Sequence, residues 1–261
     1  MTSLLLTGAG GRMARPLRPA LLESAQHLRL YARSEVELVD EREELALGTL
    51  EDLAALERAC AGVDVVIHLG GKADEADFSE ILSANIVGTH NVFEAARRAG
   101  VRRVVYASSH HVTGFHSVEE MVSVDSDVRP DTYYGVSKVF GEAIGRLYHD
   151  KWGLEVVCLR IGVCREEPEN SDQLRTWLSV PDSIHLVRAA VENEVAGGFA
   201  KVYGVSDNSR RFWDTRGSEQ IGFRAEDSAD DYAERFGGER EFSTPYQGGA
   251  FTGSEYRGGT W

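Results

Sequence analysis

The stretch Thr7-Gly8-Ala9-Gly10-Gly11-Arg12-Met13-Ala14 decides the fold of this 261-residue chain. It follows an apolar run, Ser3–Thr7, that reads as a buried strand, and helical spacing continues from about Arg12 to Glu23. Glycines between a strand and a helix allow the close approach of a pyrophosphate, and the helix N-terminus favours its negative charge. Ala14 is still small enough for close packing of helix on strand. We therefore expect a dinucleotide-binding turn that includes Gly8, Gly10, Gly11, Arg12 and Met13.

Outward from this turn, short apolar runs alternate with longer helical patterns, which is typical of a parallel sheet with crossover helices. The predicted strands are Leu28–Tyr31, Val63–Leu69, Arg102–Ala107, Leu154–Ile161 and, near the end, Lys201–Val205. The predicted helices are Leu50–Cys60, Phe78–Ala99, Thr132 to about Trp152 with a start signal at Pro130–Thr132, and Asp182–Glu192. This predicts an α/β fold, a doubly wound parallel sheet with helices on both faces.

We expect a single domain over residues 1–261, with no internal repeat. Residues 1–162 would mainly bind the dinucleotide. Residues 163–261 would form a small C-terminal substrate-binding part, ending in a tail from Gly237 in which Phe251, Tyr256 and Trp261 pack on the sheet or on a partner.

Composition narrows the class of partner. Lys and Arg total 28 against 42 Asp and Glu, a formal charge of −14 that would repel nucleic acid and anionic membranes. The cysteines Cys60, Cys158 and Cys164 are odd in number and form no CxxC pair, so they read as reduced structural thiols. The first apolar run is too short for a signal or a membrane span, which predicts a cytoplasmic protein.

The end of the second strand bears on the choice of nicotinamide cofactor. A carboxylate there would hold the ribose hydroxyls of NAD, whereas an arginine would suit the extra phosphate of NADP. This chain has Ala32 where an acid is expected, followed by Arg33 and Ser34. The pattern favours NADP over NAD, with NAD left open.

Tyr134 and Lys138 lie four residues apart in the first turns of a predicted helix, so they share one face. A tyrosine is a weak base at neutral pH, and a neighbouring ammonium stabilises its phenolate. Ser109, at the end of a predicted strand, would hydrogen-bond the reacting oxygen of a carbinol. Together these residues predict hydride-transfer chemistry. The spacing of His110, His111 and His116 fits no compact ligand set, so we predict no metal site.

These motifs resemble the extended short-chain dehydrogenase/reductase (NAD-dependent epimerase/dehydratase) family, with its TGxxGxxG turn and YxxxK pair. The resemblance is strongest to uronate dehydrogenases and related sugar dehydrogenases. It is carried by residues 6–11, 68–71, 85–88, 107–111, 134–138, 160–162, 176–179 and 246–249. It implies a Rossmann-like fold and oxidation of a sugar or uronic acid at C1 to the lactone, with Tyr134 as base, Lys138 lowering its pKa and Ser109 binding the reacting oxygen.

The resemblance also implies which further residues line the site. For the dinucleotide these are Leu50, Leu69, Gly70, Gly71, Asn85, Ala107 and Ile161, beside Tyr134 and Lys138. For the sugar they are Ala73, Ser109, His110, His111, Tyr134, Val163 and Asp172.

Four of the sugar positions depart from the family pattern. Ala73 and Val163 replace serines, and His110 replaces an asparagine. Asp172 stands where the family has an arginine that pairs with the uronate carboxylate. Either Arg165 or Arg175 substitutes for that arginine, or the substrate is a neutral aldose, because a carboxylate without a cationic partner is costly to bury.

Two other functions remain open at this stage. One is a sugar epimerase or dehydratase that keeps its cofactor tightly bound, and the other is a non-catalytic dinucleotide sensor. The helices Phe78–Ala99 and Thr132–Trp152 are candidates for the contact of a homodimer or a higher homo-oligomer.

Overall fold

The computed structural model describes residues 2–237 and 242–259. Its centre is a seven-stranded sheet in the order β3-β2-β1-β4-β5-β6-β9, and every strand pair in it is parallel. The strands are β1 Thr2–Thr7, β2 Ala25–Ala32, β3 Glu43–Leu47, β4 Val65–His68, β5 Arg103–Ser109, β6 Glu155–Ile161 and β9 Phe199–Gly204. A separate pair, β7 Val163–Cys164 and β8 Trp177–Leu178, lies beyond β6.

Helices cover both faces of this sheet, which confirms the predicted doubly wound architecture. They are α1 Ala14–Leu22, α2 Leu53–Cys60, α3 Phe78–Ile81, α4 Gly88–Ala99, α5 Tyr133–Trp152, α6 Gln173–Thr176 and α7 Val180–Glu192. Shorter 3₁₀ turns follow β5 and recur after β9.

The alternation of side chains in β1 shows why the sheet is buried on both faces. Leu4 and Leu6 pack into the core that contains α1 and α7, whereas Leu5 packs into the core that contains α2 and α4. Successive side chains of a strand point to opposite faces, so a run of leucines serves both cores. The apolar run before the glycine turn therefore becomes a central strand.

Several elements differ from the sequence prediction, among them the short β7, β8 and α6, which were not predicted. β3 was not predicted, because Glu43–Leu47 is a mixed polar edge strand that lacks the apolar run of its neighbours. The single helix predicted over Phe78–Ala99 is interrupted by a π-helical segment, Leu82–Val87, which carries Asn85.

The strand order brings the functional segments to one edge of the sheet. The order reverses between β1 and β4, and open α/β sheets bind ligands in the crevice at such a switch point, outside the carboxyl ends of the strands. The tail reaches the same edge, where Phe251 is buried and Tyr256 is half-buried. Trp261, predicted to pack with them, lies outside the described residues.

Candidate active site

A cleft of 1510 Å³ opens along the carboxyl ends of β1, β2, β4, β5 and β6. One end is formed by the glycine turn and the end of β2, the middle by the segments after β4 and β5, and the far end by the chain after β6 and the tail. Every residue predicted to bind dinucleotide or sugar lines this cleft except Asn85. The fold thus gathers segments that lie far apart in the sequence.

The glycine turn fits a pyrophosphate group. Gly8 has φ +70°, its N–H donates to the Tyr31 carbonyl at 3.1 Å, and the N–H of Gly11 donates back to the Gly8 carbonyl at 2.8 Å. A Cβ on Gly8 would lie 2.9 Å from the Gly70 Cα, so the turns after β1 and β4 meet without room for a side chain. The N-terminus of α1 follows directly, and its first N–H groups lack intrahelical acceptors. This part of the cleft therefore suits a dinucleotide.

His68 holds the two turns together. Its Nδ1 lies 2.8 Å from Thr7 Oγ1, and the same hydroxyl accepts the N–H of Gly70 at 3.1 Å. Its Nε2 lies 3.2 Å from Thr89 Oγ1. Burial lowers the pKa of His68 to about 3, with a smaller contribution from the Lys138 charge, so the ring is neutral at physiological pH.

Asn85 acts behind the wall of the cleft. Its Oδ1 accepts the N–H of Lys72 at 2.7 Å, and its Nδ2 donates to Ser137 Oγ at 3.0 Å. The side chain is 2% exposed. Asn85 thereby fixes the segment after β4 against helix α5.

Tyr134, Lys138 and Ser109 meet in the middle of the cleft, and all of them are buried. Thr132 caps α5 by accepting the N–H of Gly135, which places Tyr134 in the first turn. The Lys138 Nζ lies 5.4 Å from the centre of the Tyr134 ring and donates to the Ala107 carbonyl at 2.8 Å. The helix spacing and the strand end therefore bring together the residues that the sequence singled out.

Burial governs the ionisation of these groups. It raises the pKa of Tyr134 to about 12, against a smaller lowering by the hydrogen bond from Ser109. It lowers the pKa of Lys138 to about 8. In the protein as described, burial thus outweighs any stabilisation of the phenolate by the neighbouring ammonium.

Two histidines lie beside Tyr134. His111 Nδ1 lies 2.7 Å from the Asp131 carboxylate, and its ring meets that of Tyr134 edge-on at 5.8 Å. His110 turns away: its Nδ1 lies 3.0 Å from the Ile161 carbonyl oxygen, and burial lowers its pKa far below the ordinary value. His111 is therefore the better placed of the two to meet a ligand.

A buried ion pair that the sequence analysis did not anticipate supports the serine strand end. The Arg160 guanidinium donates to both carboxylate oxygens of Glu142, at 2.9 and 2.8 Å. Ser108 donates to the same carboxylate at 2.7 Å. Glu142 lies two turns after Tyr134 on α5, so helical periodicity could have indicated that it shares the inward face.

A second unanticipated residue, Glu75, ties the loop after β4 to helix α5. Glu75 accepts the N–H of Tyr134 at 2.8 Å at the start of α5. The adjacent Asp74 accepts the Tyr256 hydroxyl at 2.7 Å, so the tail, the loop and the helix are linked. An acidic side chain beside a helix N-terminus is a stabilising arrangement. The sequence would indicate it for Glu75 only once the loop after β4 is known to lie beside the start of α5.

The far end of the cleft contains the residues that depart from the family pattern. Asp172 accepts the backbone N–H and the hydroxyl of Ser243 from the tail. Arg165 lines the cleft, where its side chain is 15% exposed and pairs with Glu169 at 2.7 Å. Arg175 is elsewhere: it lies over the Phe212 ring, 5.4 Å from its centre. Ala73 and Val163 also line the cleft.

The opposite end holds Arg33 and Ser34, which follow β2 as predicted. Glu51 also lies here; a hydrogen bond from Ser83, and more weakly the charge of Arg33, lower the pKa of this carboxyl. This end therefore contains the cation Arg33 and the acid Glu51. Arg12 and Arg15, in and after the glycine turn, also line the cleft.

Residues 2–237 and 242–259 contain no group of three or more His, Cys, Asp or Glu residues arranged to hold a metal ion. None of their helices has both the length and the apolar character that crossing a membrane requires.

Comparison with known proteins places these features in a family. The model of the NAD dependent epimerase/dehydratase family matches residues 4–164. The uronate dehydrogenase of Pseudomonas syringae pv. tomato is 40% identical over 257 residues, covering 96% of this chain and 93% of that protein. The L-arabinose 1-dehydrogenase (NAD(P)(+)) of Haloferax volcanii is 34% identical, covering 88% of this chain and 98% of that protein.

A solved structure shows the same relationship in three dimensions. A mutant of uronate dehydrogenase from Agrobacterium tumefaciens, complexed with NAD, matches with a TM-score of 0.90 and 36% identity over 97% of each chain. The resemblance predicted from the sequence is thus confirmed, and so is the enzyme class, a nicotinamide-dependent oxidoreductase. This chain belongs to the NAD dependent epimerase/dehydratase family, the extended short-chain dehydrogenases.

Proposed function

We propose that this protein oxidises a uronic acid at C1 to the corresponding lactone, with NADP or NAD as the oxidant. The observation that carries the proposal is the meeting of Tyr134, Ser109 and Lys138 in one cleft with the glycine turn. Its relatives support the substrate class, because those about 40% identical are uronate dehydrogenases. Residues 1–162 mainly hold the dinucleotide and residues 163–261 mainly contact the sugar.

The chemistry follows from what each side chain can do. The dinucleotide supplies the oxidised nicotinamide that accepts the hydride from C1. Ser109 hydrogen-bonds the C1 oxygen and holds it beside the phenol, and Tyr134 takes the hydroxyl proton. Lys138 favours the phenolate form of Tyr134 when its ammonium is charged, in a buried site where such attraction is strong.

The carboxylate of the sugar binds to Arg165. This arginine lines the far end of the cleft and is mostly buried, whereas Arg175 is directed at Phe212. Glu169, which pairs with Arg165, is 58% exposed, so a bound carboxylate can compete with it for the guanidinium. Arg165 then does the work of the arginine that Asp172 replaces.

Arg33 and Ser34 favour NADP, because an arginine at the end of the second strand suits the extra phosphate. Arg12 and Arg15 add positive charge to the lining of the cleft. Glu51 is the opposing consideration, since a carboxylate can hold ribose hydroxyls. We therefore propose NADP as the preferred cofactor, with NAD also accepted.

The test is absorbance at the reduced-nicotinamide band, with NAD and NADP each offered galacturonate, glucuronate, glucose and arabinose. Reduction with the uronates, lost in Tyr134→Phe, is the expected result. Reduction with neutral sugars alone would overturn the uronate assignment. No net reduction by protein purified with bound dinucleotide would instead indicate an epimerase or dehydratase.

Arg165→Gln and Arg175→Gln are a matched pair for the carboxylate. We expect Arg165→Gln to lower kcat/KM for uronates by about 10–100-fold and to leave that for neutral sugars unchanged, since a charge-assisted contact is lost. Arg175→Gln should change neither. Equal effects of the two substitutions on the uronate would refute the role of Arg165.

A further inference from the structure

The carboxylate of Asp131 is buried at the rear of the candidate active site, directly behind His111. Its side chain has no solvent exposure, and Oδ2 lies 2.7 Å from His111 Nδ1. Oδ1 accepts the hydroxyl of Thr132 at 3.0 Å. Oδ1 therefore acts as an acceptor, and at Oδ2 an ionised carboxylate would likewise accept, from a protonated Nδ1.

Three glycines from different segments lie around this carboxylate and leave just enough space for it: Gly114, Gly135 and Gly248. A Cβ on Gly114 or Gly248 would overlap the carboxylate, and one on Gly135 would lie 2.6 Å from the His111 carbonyl oxygen. Neighbouring backbone from three parts of the chain thus encloses the pair, so Asp131 sits in a specific position and not on a loose surface.

The plane of the His111 ring is fixed independently. Phe251 of the tail stacks on the ring at 3.8 Å and 22°, and the His110 ring lies 4.0 Å away. A ring held by such neighbours cannot turn over freely, so Nδ1 stays on the Asp131 side. Nε2 then lies on the other edge, where His111 lines the cleft and where no residue that the structure describes forms a hydrogen bond with it.

We infer that Asp131 is a positioning residue that sets the tautomer of His111 for sugar recognition. An ionised carboxylate can only accept, so the proton of the neutral imidazole is on Nδ1 and Nε2 carries a lone pair. Nε2 accepts a hydrogen bond from a sugar hydroxyl beside the one that reacts. In oxidation at C1 the neighbours of the reacting carbon are the ring oxygen, which has no proton, and C2, so the hydroxyl is that on C2.

This inference rests on the proposed function for the identity of the ligand, but the tautomer can be measured without turnover. The imidazole ¹⁵N chemical shifts distinguish a protonated from an unprotonated ring nitrogen, and the His111 signals are identified by their loss in His111→Gln. We expect protonated Nδ1 and unprotonated Nε2 in the wild type. In Asp131→Asn the amide can donate to Nδ1, which moves the proton to Nε2. Asp125→Asn, an exposed loop position, is the control and should leave the spectrum unchanged.

Activity measurements then link the tautomer to the C2 hydroxyl. We expect Asp131→Asn to lower kcat/KM by about tenfold for the best sugar substrate, the effect of one hydrogen bond. For the wild type, kcat/KM should be lower by a similar factor with the 2-deoxy analogue than with the parent sugar. For Asp131→Asn, kcat/KM should be nearly the same with the two sugars. The titratable neighbours His110 and Tyr134, whose ring centres lie 4.0 and 5.8 Å from that of His111, are unchanged in the comparison.

The outcomes separate cleanly. An unchanged His111 tautomer in Asp131→Asn overturns the positioning role, whatever the activity. If Asp131→Asn lowers kcat/KM relative to the wild type by the same factor for the parent sugar and for its 2-deoxy analogue, the assignment of the C2 hydroxyl is overturned. A wild type that reduces no nicotinamide with any sugar refutes the proposed function, while the tautomer result still stands or falls on its own.

Discussion

The ammonium of Lys138 donates to the carbonyl oxygen of Ala107 at 2.8 Å, and so fastens helix α5 to the end of β5. The lysine is buried in the wall of the cleft, and burial lowers its pKa to about 8 from an ordinary value of 10.5. Folding thus favours the neutral amine, while the proposed chemistry uses the ammonium. A site that keeps such a group is expected to lose stability for the sake of function.

Lys138→Met should therefore raise stability and abolish turnover. The difference between 10.5 and about 8 corresponds to about 3 kcal/mol, at about 1.4 kcal/mol per pKa unit. Below pH 8 the lysine is charged in both the folded and the unfolded state, and the folded state is destabilised by the full free-energy cost of burying that charge. The gain in stability of the variant is therefore largest there. Between pH 8 and 10.5 the unfolded chain holds more protons, the stability of the wild type rises, and the gain disappears.

Urea unfolding of both proteins at pH 7 and at pH 10.5 measures this difference. Turnover of the proposed substrate should fall by about 10²-fold or more, since the variant loses the charge that favours the phenolate. A variant less stable than the wild type at pH 7 would show that the hydrogen bond to Ala107 outweighs the cost of burial.

The buried pair of Glu142 and Arg160 leads to a prediction about stability and alignment. The Arg160 side chain has no exposure and that of Glu142 is 7% exposed. Glu142→Gln leaves the guanidinium without its counter-charge and weakens the contact with Ser108, so we expect a loss of about 3–5 kcal/mol of unfolding free energy.

The matched variant is the double replacement of Glu142 by Gln and Arg160 by Met. Removing both charges should recover a large part of the lost stability, because no buried charge is left unpaired. Denaturant unfolding of the two single variants and the double variant completes the cycle. A strictly additive double variant would mean that the ion pair contributes no coupling.

The sequence predicted the parts of the fold that local patterns control. The glycine turn, the buried strands and the start of α5 at Thr132 depend on neighbours in the chain, and each was found in place. The edge strand β3 was missed because its partner β2, and not its own composition, makes it a strand. Tertiary pairing overrides weak local preference in such elements.

In the candidate site, too, residues placed by local patterns were predicted, and residues placed by contacts between distant segments were not. Tyr134, Lys138 and Ser109 follow from spacing and strand ends, but the partners Glu75, Asp131 and Phe251 come from segments whose contacts depend on how the whole sheet folds. Asn85 was expected to contact the dinucleotide, and the structure places it behind the cleft wall, since a π-helical segment turns it toward Ser137. No local pattern specifies that rotation.

Asp172 should weaken the binding of a uronate if the carboxylate end of the sugar lies at this end of the cleft. Asp172→Asn keeps an acceptor for the Ser243 N–H and removes one negative charge. We expect KM for the uronate to fall by about threefold to tenfold, and KM for a neutral sugar to stay the same. Steady-state kinetics at low and high salt check this, because screening should reduce the difference. An unchanged uronate KM at low salt would place the carboxylate elsewhere.

Arg33 should decide which dinucleotide is preferred. It follows β2 at the end of the cleft that we propose holds the adenosine, where the NAD enzymes of this fold carry an acid for the ribose hydroxyls. Arg33→Asp replaces a cation that attracts the extra phosphate of NADP by an anion that repels it. We expect the ratio of kcat/KM for NADP to that for NAD to fall by about 10²-fold or more, as one favourable charge contact is lost and one unfavourable contact is added. Arg58→Asp, at an exposed position of helix α2 that does not line the cleft, is the control for net charge and should leave the ratio unchanged. Equal changes in both variants would assign the effect to the overall field of this acidic protein, whereas a ratio unmoved in Arg33→Asp would show that Arg33 does not bind the phosphate.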